Sequence, residues 1–158
     1  MAVEFAIHTE DLTKQYQEVL ALDHLTLEVP AGSIFGYLGR NGAGKTTTMR
    51  LLAGLAAPTS GRAWIDGIEI TGGEETARTR FGYLPQEPAF YTWMTPVEYL
   101  DYVGRISGLP GAERKAQIEE VLNLAGLKAA AKRRIGGFSG GMKQRLGIAQ
   151  ALLVRPPV

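Results

Sequence analysis

Apolar and polar positions alternate with the two-residue period of β-strands near the start of the chain. Apolar residues recur at every second position from Phe5 and again from Leu25 to Val29, before a turn at Pro30–Gly32. Two short β-type segments, Ala63-Trp64-Ile65 and Ile68-Glu69-Ile70, flank the turn dipeptide Asp66–Gly67. The pattern predicts β structure within residues 1–35, forming a small antiparallel sheet, and a β-hairpin further along.

Two uninterrupted apolar runs follow a different pattern, which is typical of strands buried on both faces. They are Ser33–Leu38 and Phe81–Leu84. The second run ends at Pro85 and Pro88, which can continue neither a helix nor a sheet. Both runs are therefore predicted to be short core strands.

Helical periodicity appears between and after these strands. Thr46–Leu55 is predicted to be a helix that turns Met49, Leu52 and Ala53 inward. A second helix is predicted for Pro96–Ile106, because Thr95 is a good N-cap, proline suits the first position and Glu98 can close a capping box.

Two more helices complete the prediction. Apolar residues with spacings of three, four and seven indicate a helix that ends at the cap residue Gly126: Ile118, Val121, Leu122 and Ala125. Ser139 is predicted to cap a last helix, which extends to about Val154. Its inward stripe consists of Leu146, Ala149, Gln150 and Leu153.

The most informative motif lies between the first apolar run and the first helix. It matches G-x-x-x-x-G-K-[ST] and consists of Gly39, Arg40, Asn41, Gly42, Ala43, Gly44, Lys45 and Thr46. Its glycines let backbone N–H groups turn inward, and the next helix presents unpaired amides to the same anion. Lys45 would reach the β- and γ-phosphates, and the Thr46 hydroxyl would coordinate Mg²⁺. The motif predicts a nucleoside triphosphate site, to which Thr47 also contributes.

Composition narrows the class of protein without identifying a partner. The 158 residues suffice for about one domain, and 17 basic against 16 acidic residues create no field that favours nucleic acid or an anionic membrane surface. No cysteine is present, and no stretch approaches the ~20 apolar residues of a membrane span. We expect a soluble, cytosolic polypeptide. His8 and His24 lack metal-ligand spacing.

The ordered set of motifs resembles the nucleotide-binding domain of ATP-binding cassette (ABC) ATPases. The set comprises the phosphate loop, the isolated Gln86 after a strand, and Ser139-Gly140-Gly141 opening a helix. The resemblance implies an α/β fold: a P-loop NTPase (RecA-like) core with an N-terminal antiparallel β subdomain and a helical insertion. It divides the chain into residues 1–87, 88–138 and 139–158.

The resemblance also assigns roles to single residues. It implies that Tyr16 stacks on adenine, although the residue pattern alone favours a half-buried strand position. It implies that Gln86 contacts Mg²⁺ or the attacking water and senses a transporter partner. Phe138-Ser139-Gly140-Gly141-Met142 resembles the family signature, in which Ser139, Gly140 and Gly141 close over the ATP of a second subunit. Met142 departs from the family glutamine, and the surrounding sequence is similar to the export-type branch.

Hydrolysis also needs carboxylates, which the family supplies from a strand that follows the signature helix. The sequence ends at Val158, where that strand would begin. Asp66 is better explained as a turn residue, and Glu87 lies in a loop between prolines. We therefore expect the C-terminal part of the core to be missing and these 158 residues to be catalytically incomplete, either as a natural truncation or as part of a longer chain. The catalytic residues present would be Lys45 and Gln86.

Three alternatives remain open at this point. A GTPase lacks support because no Asn-Lys-x-Asp motif occurs: the only asparagines are Asn41 and Asn123. A non-transport ABC ATPase is disfavoured by the short helical insertion, which contains no sustained heptads. The third alternative is a fragment that binds ATP without hydrolysing it.

The resemblance implies two protein partners and a location. They are an integral membrane permease and a second ATPase subunit, identical or different, with no nucleic acid, on the cytoplasmic face of the plasma (inner) membrane. Phe90-Tyr91-Thr92-Trp93-Met94 is a candidate permease contact, although packing of these side chains onto the core explains them equally well. Neither the transported substrate nor the direction of transport can be predicted.

Overall fold

The chain folds into two units. The structure is a computed structural model that describes residues 4–72 and 79–158. The first unit comprises the chain up to Phe81 together with Pro157–Val158, and the second comprises Gly82–Pro156.

An antiparallel sheet forms the framework of the first unit. Its four strands are β1 (Phe5–Tyr16), β2 (Val19–Pro30), β3 (Ser60–Ile65) and β4 (Ile68–Glu69), and their order is β2-β1-β3-β4. Asp66 and Gly67 connect β3 to β4 with positive φ angles of 49° and 76°, as a tight hairpin requires. The predicted antiparallel sheet and hairpin are confirmed.

The two apolar runs predicted to be strands do not form strands. Residues 33–38 and 81–84 are irregular, and Ile34 and Leu38 are almost fully exposed. A strand needs a neighbouring strand to complete its hydrogen-bond ladder, and none of the described strands pairs with either run. The apolar pattern predicted two buried strands, but the described residues contain no strand that pairs with either run.

One helix, α1 (Lys45–Leu52), packs on this sheet. It ends three residues before the predicted Leu55, and Gly54 follows with φ of 65°. Met49 is 40% exposed, so its predicted inward orientation is wrong, whereas Leu52 is buried as predicted, together with Thr48 and Leu51. The core of this unit contains Leu12, Leu22, Leu51, Leu52, Ala63 and Ile65.

The second unit is helical. Its helices are α2 (Pro96–Ile106), α3 (Gly111–Leu124) and α4 (Gly140–Leu152), with short 3-10 turns at Lys128–Ala130 and Ile135–Gly137. The predicted bounds of α2 are confirmed, and α4 ends two residues before the predicted Val154. Its core combines residues from all three helices and the intervening turns: Tyr99, Leu100, Ile118, Val121, Leu122, Leu127, Ile135, Phe138, Leu146, Ala149 and Leu153.

Local capping explains where these helices begin and end. Thr95 accepts a hydrogen bond from the Glu98 amide, and the Glu98 carboxylate accepts one from the Thr95 amide, which completes the predicted capping box. These bonds to Thr95 lower the pKa of Glu98. At the end of α3, Gly126 has φ of 65°, and the Leu127 amide donates to the Leu122 carbonyl in a Schellman arrangement.

Candidate functional site

The Gly39–Thr46 motif forms a loop that runs directly into the N-terminus of α1. Gly42 and Gly44 have φ angles of 84° and 81°, a left-handed conformation that directs successive amides to one side. A Cβ added to Gly44 would lie 2.7 Å from the Ala21 carbonyl oxygen on β2. Glycine is therefore required at position 44 both by the backbone angle and by the strand behind it.

Lys45 closes this loop through its side chain. Its ammonium donates hydrogen bonds to the carbonyl oxygens of Gly39 and Arg40, at 2.6 and 2.7 Å. The Ala43 amide donates to the Arg40 carbonyl and completes the turn. These contacts keep the positive charge of Lys45 within the loop, where an anion bound to the amides would meet it.

The N-terminus of α1 is available to an anion. Gly44 is its N-cap and has no side chain to accept from the first amides, and the first turn contains no acidic residue. Thr46 is exposed in this turn. The Thr48 hydroxyl points inward instead, donating to the Gly44 carbonyl at 3.1 Å. This end of α1 therefore presents unpaired amides beside an exposed Thr46 side chain.

Tyr16 lies at the end of β1, in the hairpin that leads into β2. Its ring is 42% exposed, and the Lys14 ammonium lies 4.8 Å from the ring centroid. Tyr16 pairs with Val19, two residues before the Ala21 carbonyl that contacts the phosphate loop. An accessible aromatic face on this hairpin is compatible with stacking of a base.

Gln86 belongs to the second unit and lies on its surface. It occupies a bend between Pro85 and Pro88 together with Glu87, and both side chains are exposed. Its amide is free to contact a ligand or a partner.

Ser139, Gly140 and Gly141 open helix α4. The Ser139 hydroxyl accepts a hydrogen bond from the Met142 amide at 3.3 Å and caps the helix as predicted. Cβ atoms added to Gly140 and Gly141 would meet nothing within 4 Å. Packing within the described chain therefore does not explain these glycines, whereas close approach of another molecule would.

The two neighbours of this motif contribute to the core. Phe138 is buried, and the Arg133 guanidinium lies 5.8 Å from its ring. Met142 is partly buried and packs against the helical core. At the position where the resemblance expects glutamine, this chain therefore has a packing residue.

An aromatic cluster covers one side of the second unit. Tyr91 contacts the rings of Trp93, Tyr99 and Tyr102, with centroid distances of 5.0, 6.4 and 5.7 Å. Trp93 is 64% exposed, while burial raises the pKa of Tyr99 and the neighbouring Tyr91 hydroxyl raises that of Tyr102. The cluster joins an exposed aromatic surface to the helical core.

The carboxylates considered above are not part of a metal-binding arrangement among the described residues. Asp66 forms an ion pair with Arg80, which agrees with its predicted role in the turn. Within residues 4–72 and 79–158, no group of three or more histidine or acidic residues is arranged to hold a metal. His24 forms a hydrogen bond with Asp23, which raises its pKa.

Two contacts of helix α4, one of them beside Gln86, were not predicted from the sequence. Gly147 on α4 provides the space in which Leu84 and Pro88 pack, and the Tyr99 hydroxyl donates to the Gln150 Oε1 at 2.7 Å. The only available signal was a glycine in the middle of a helix, which lowers helix propensity and often indicates close packing.

The fold and the loop define a P-loop nucleotide-binding domain, and comparisons identify its family. The ABC transporter family model matches residues 22–158, and the chain belongs to this family. In the solved structure of an ATP-binding subunit of an ABC transporter, the matching region superposes with a TM-score of 0.85 and 32% identity, covering 96% of this chain and 63% of that one.

Relatives from bacteria resemble the chain closely in sequence. It is 49% identical over 147 residues to the uncharacterized ABC transporter ATP-binding protein YxlF of Bacillus subtilis, covering 93% of this chain and 48% of that protein. It is 46% identical over 150 residues to the bacitracin transport ATP-binding protein BcrA of Bacillus licheniformis, covering 95% and 48%. The chain thus spans about half the length of these curated relatives.

Proposed function

We propose that this chain forms the ATP-binding part of an ABC transporter subunit, which hydrolyses ATP in the complete protein to drive transport across a membrane. The observation that carries the proposal is the loop Gly39–Lys45, in which the Lys45 ammonium bonds to two loop carbonyls and two glycines with positive φ lead into a helix N-terminus without a side-chain cap. The arrangement suits the β- and γ-phosphates of a nucleotide.

In this proposal, different residues contact the phosphates, the metal ion and the base. Lys45 and the loop amides stabilise phosphate charge, Thr46 and Gln86 are the candidate Mg²⁺ contacts, and Tyr16 offers its face to the base. Mg²⁺ held by these residues would supply electrostatic stabilisation of the negative charge that develops during phosphoryl transfer. Hydrolysis also needs a carboxylate that holds Mg²⁺ and a residue that orients the attacking water, and the loop Gly39–Thr46 contains no carboxylate.

Nucleotide titration tests this proposal. The chain is expected to bind ATP saturably, more tightly with Mg²⁺ than with EDTA, and without steady turnover. Calorimetry with ATP and GTP, with and without Mg²⁺, is the measurement. Absence of binding at millimolar ATP would refute the site, preference for GTP would favour a GTPase, and sustained hydrolysis would disprove the proposed catalytic incompleteness.

We further propose that a second ATPase subunit approaches Ser139, and that a membrane permease docks on the aromatic cluster at the cytoplasmic face of the membrane. The open space above Gly140 and Gly141 supports the first contact, and the exposed ring of Trp93 supports the second. Among the described residues, no helix is long and apolar enough to cross a membrane.

Replacing Trp93 with alanine is expected to weaken permease assembly about 10-fold or more without changing ATP affinity, because large exposed aromatics commonly anchor interfaces. Co-purification with the permease and an ATP titration measure the two effects. Ile106→Ala is the control, since Ile106 is also exposed but is not among the aromatic contacts. Parallel loss of assembly and folding stability in Trp93→Ala would indicate a packing role instead.

A further inference from the structure

Gly147 lies in the middle of α4, where glycine weakens a helix relative to alanine. A backbone requirement does not explain it, because α4 is regular at this residue. A Cβ at this position would lie 2.4 Å from Leu84 Cδ1, 3.5 Å from Pro88 Cβ and 3.7 Å from Pro88 Cγ. Leu84 and Pro88, from another segment of the second unit, therefore pack directly against α4 at this residue.

That segment carries Gln86 between its two points of contact. Leu84 and Pro88 both pack on Gly147, while Gln86 and Glu87 form the exposed bend between them. Pro85 and Pro88 fix their own φ angles and restrict the residues before them to extended conformations. Because the backbone of this segment has few accessible conformations, the contacts of Leu84 and Pro88 fix the position of the residues between them.

A second contact extends this attachment along α4. A Cβ added to Gly82 would lie 2.4 Å from the carbonyl oxygen of Ala151, one turn beyond Gly147. This neighbour is backbone, which cannot rotate away as a leucine side chain can. Residues 82–88 therefore lie along the C-terminal half of α4.

Ser139 caps the other end of the same helix. Eight residues separate Gly147 from Ser139, or about 12 Å along the helix at 1.5 Å per residue. Helix α4 is continuous between them. A displacement of the Gln86 segment would therefore reach Ser139 through one rigid element.

We infer that Gly147 is a positioning residue that fixes the Gln86 segment on α4, so that Gln86 and Ser139 move as one body. The functional meaning rests on the proposed ATP-binding role, in which Gln86 senses a partner and Ser139 meets the second nucleotide. The physical attachment does not depend on that role. It can be tested without nucleotide.

A nitroxide at Glu87→Cys reports on the segment, because the chain contains no other cysteine. Gly147→Ala is expected to shorten the rotational correlation time of this label about twofold or more, since the new methyl group displaces Leu84. Leu84→Ala alone is expected to mobilise the label too, by removing one contact. Combining both substitutions should restore the label toward wild-type mobility, because the methyl group then occupies space that Leu84 vacated.

Gly111→Ala is the matched control, because a Cβ there has only one neighbour, Arg114 Nη2, at 3.9 Å. It should leave the Glu87→Cys spectrum unchanged. A second label at the exposed Leu124→Cys should not respond to Gly147→Ala. Unchanged mobility at position 87 in Gly147→Ala, equal loosening at both labels, or additive effects without restoration would each overturn the inference. A separate ATP titration of the wild-type chain tests the proposed function, so the two failures can be distinguished.

Discussion

Replacing Lys45 with methionine is expected to weaken ATP binding about 100-fold, because each charge-assisted hydrogen bond to a phosphate contributes about 1.5–3 kcal/mol. Methionine keeps most of the length of the side chain and removes the ammonium that bonds to the carbonyls of Gly39 and Arg40. Calorimetric titration with Mg²⁺-ATP measures the change, and circular dichroism checks that the fold is retained.

Arg50→Met is the control for charge. Arg50 is an exposed basic residue in the last turn of the same helix, at the opposite end from the loop. Its replacement should change ATP affinity less than about threefold, since solvent screens a charge at that distance. Equal losses in the two variants would show that general positive charge, rather than the position of Lys45, determines binding.

Leu100→Ala is expected to lower the free energy of unfolding by about 2–5 kcal/mol, because it removes buried methyl groups and leaves a cavity. Leu100 is 0% exposed in the core of the helical unit. Urea denaturation followed by circular dichroism measures the loss.

Leu124→Ala makes the same chemical change at a position that is 70% exposed in the same unit. It is expected to change the free energy of unfolding by no more than about 0.5 kcal/mol. A loss below about 1 kcal/mol for Leu100→Ala, or similar losses for the two variants, would contradict the described core.

Features specified by neighbouring residues could be predicted from the sequence. The capping box of Thr95 and Glu98 gave the start of α2, and Gly126 gave the end of α3, because each signal acts within one helical turn. The hairpin at Asp66–Gly67 follows from the left-handed angles that this dipeptide tolerates. The conformation of the phosphate loop is also a local feature, because it depends on the glycines of the loop itself.

Features that depend on distant residues could not be predicted. The apolar run Ser33–Leu38 has the composition of a buried strand, but composition does not supply the neighbouring strand that burial requires. Met49 fits an apolar helical stripe, yet it is 40% exposed, whereas Thr48 and Leu51 on the same helix are buried. The packing of Leu84 on Gly147 joins residues far apart in the sequence, so the glycine in the middle of a helix indicates close packing but does not identify its partner.

The roles of the individual site residues stay predictions at this stage. The structure places the phosphate loop and Tyr16 in the first unit, and Gln86 and Ser139 in the second.

The chain contains two tryptophans, and each unit has one. Trp64 on β3 is partly buried against His8 and Arg62, whereas Trp93 is exposed in the aromatic cluster of the helical unit. Tryptophan fluorescence of the Trp64→Phe variant would therefore report on the helical unit alone. That of the Trp93→Phe variant would report on the unit that contains the sheet. Coincident unfolding curves from the two variants would mean that one free energy describes the whole chain, and separate curves would mean that each unit has its own stability.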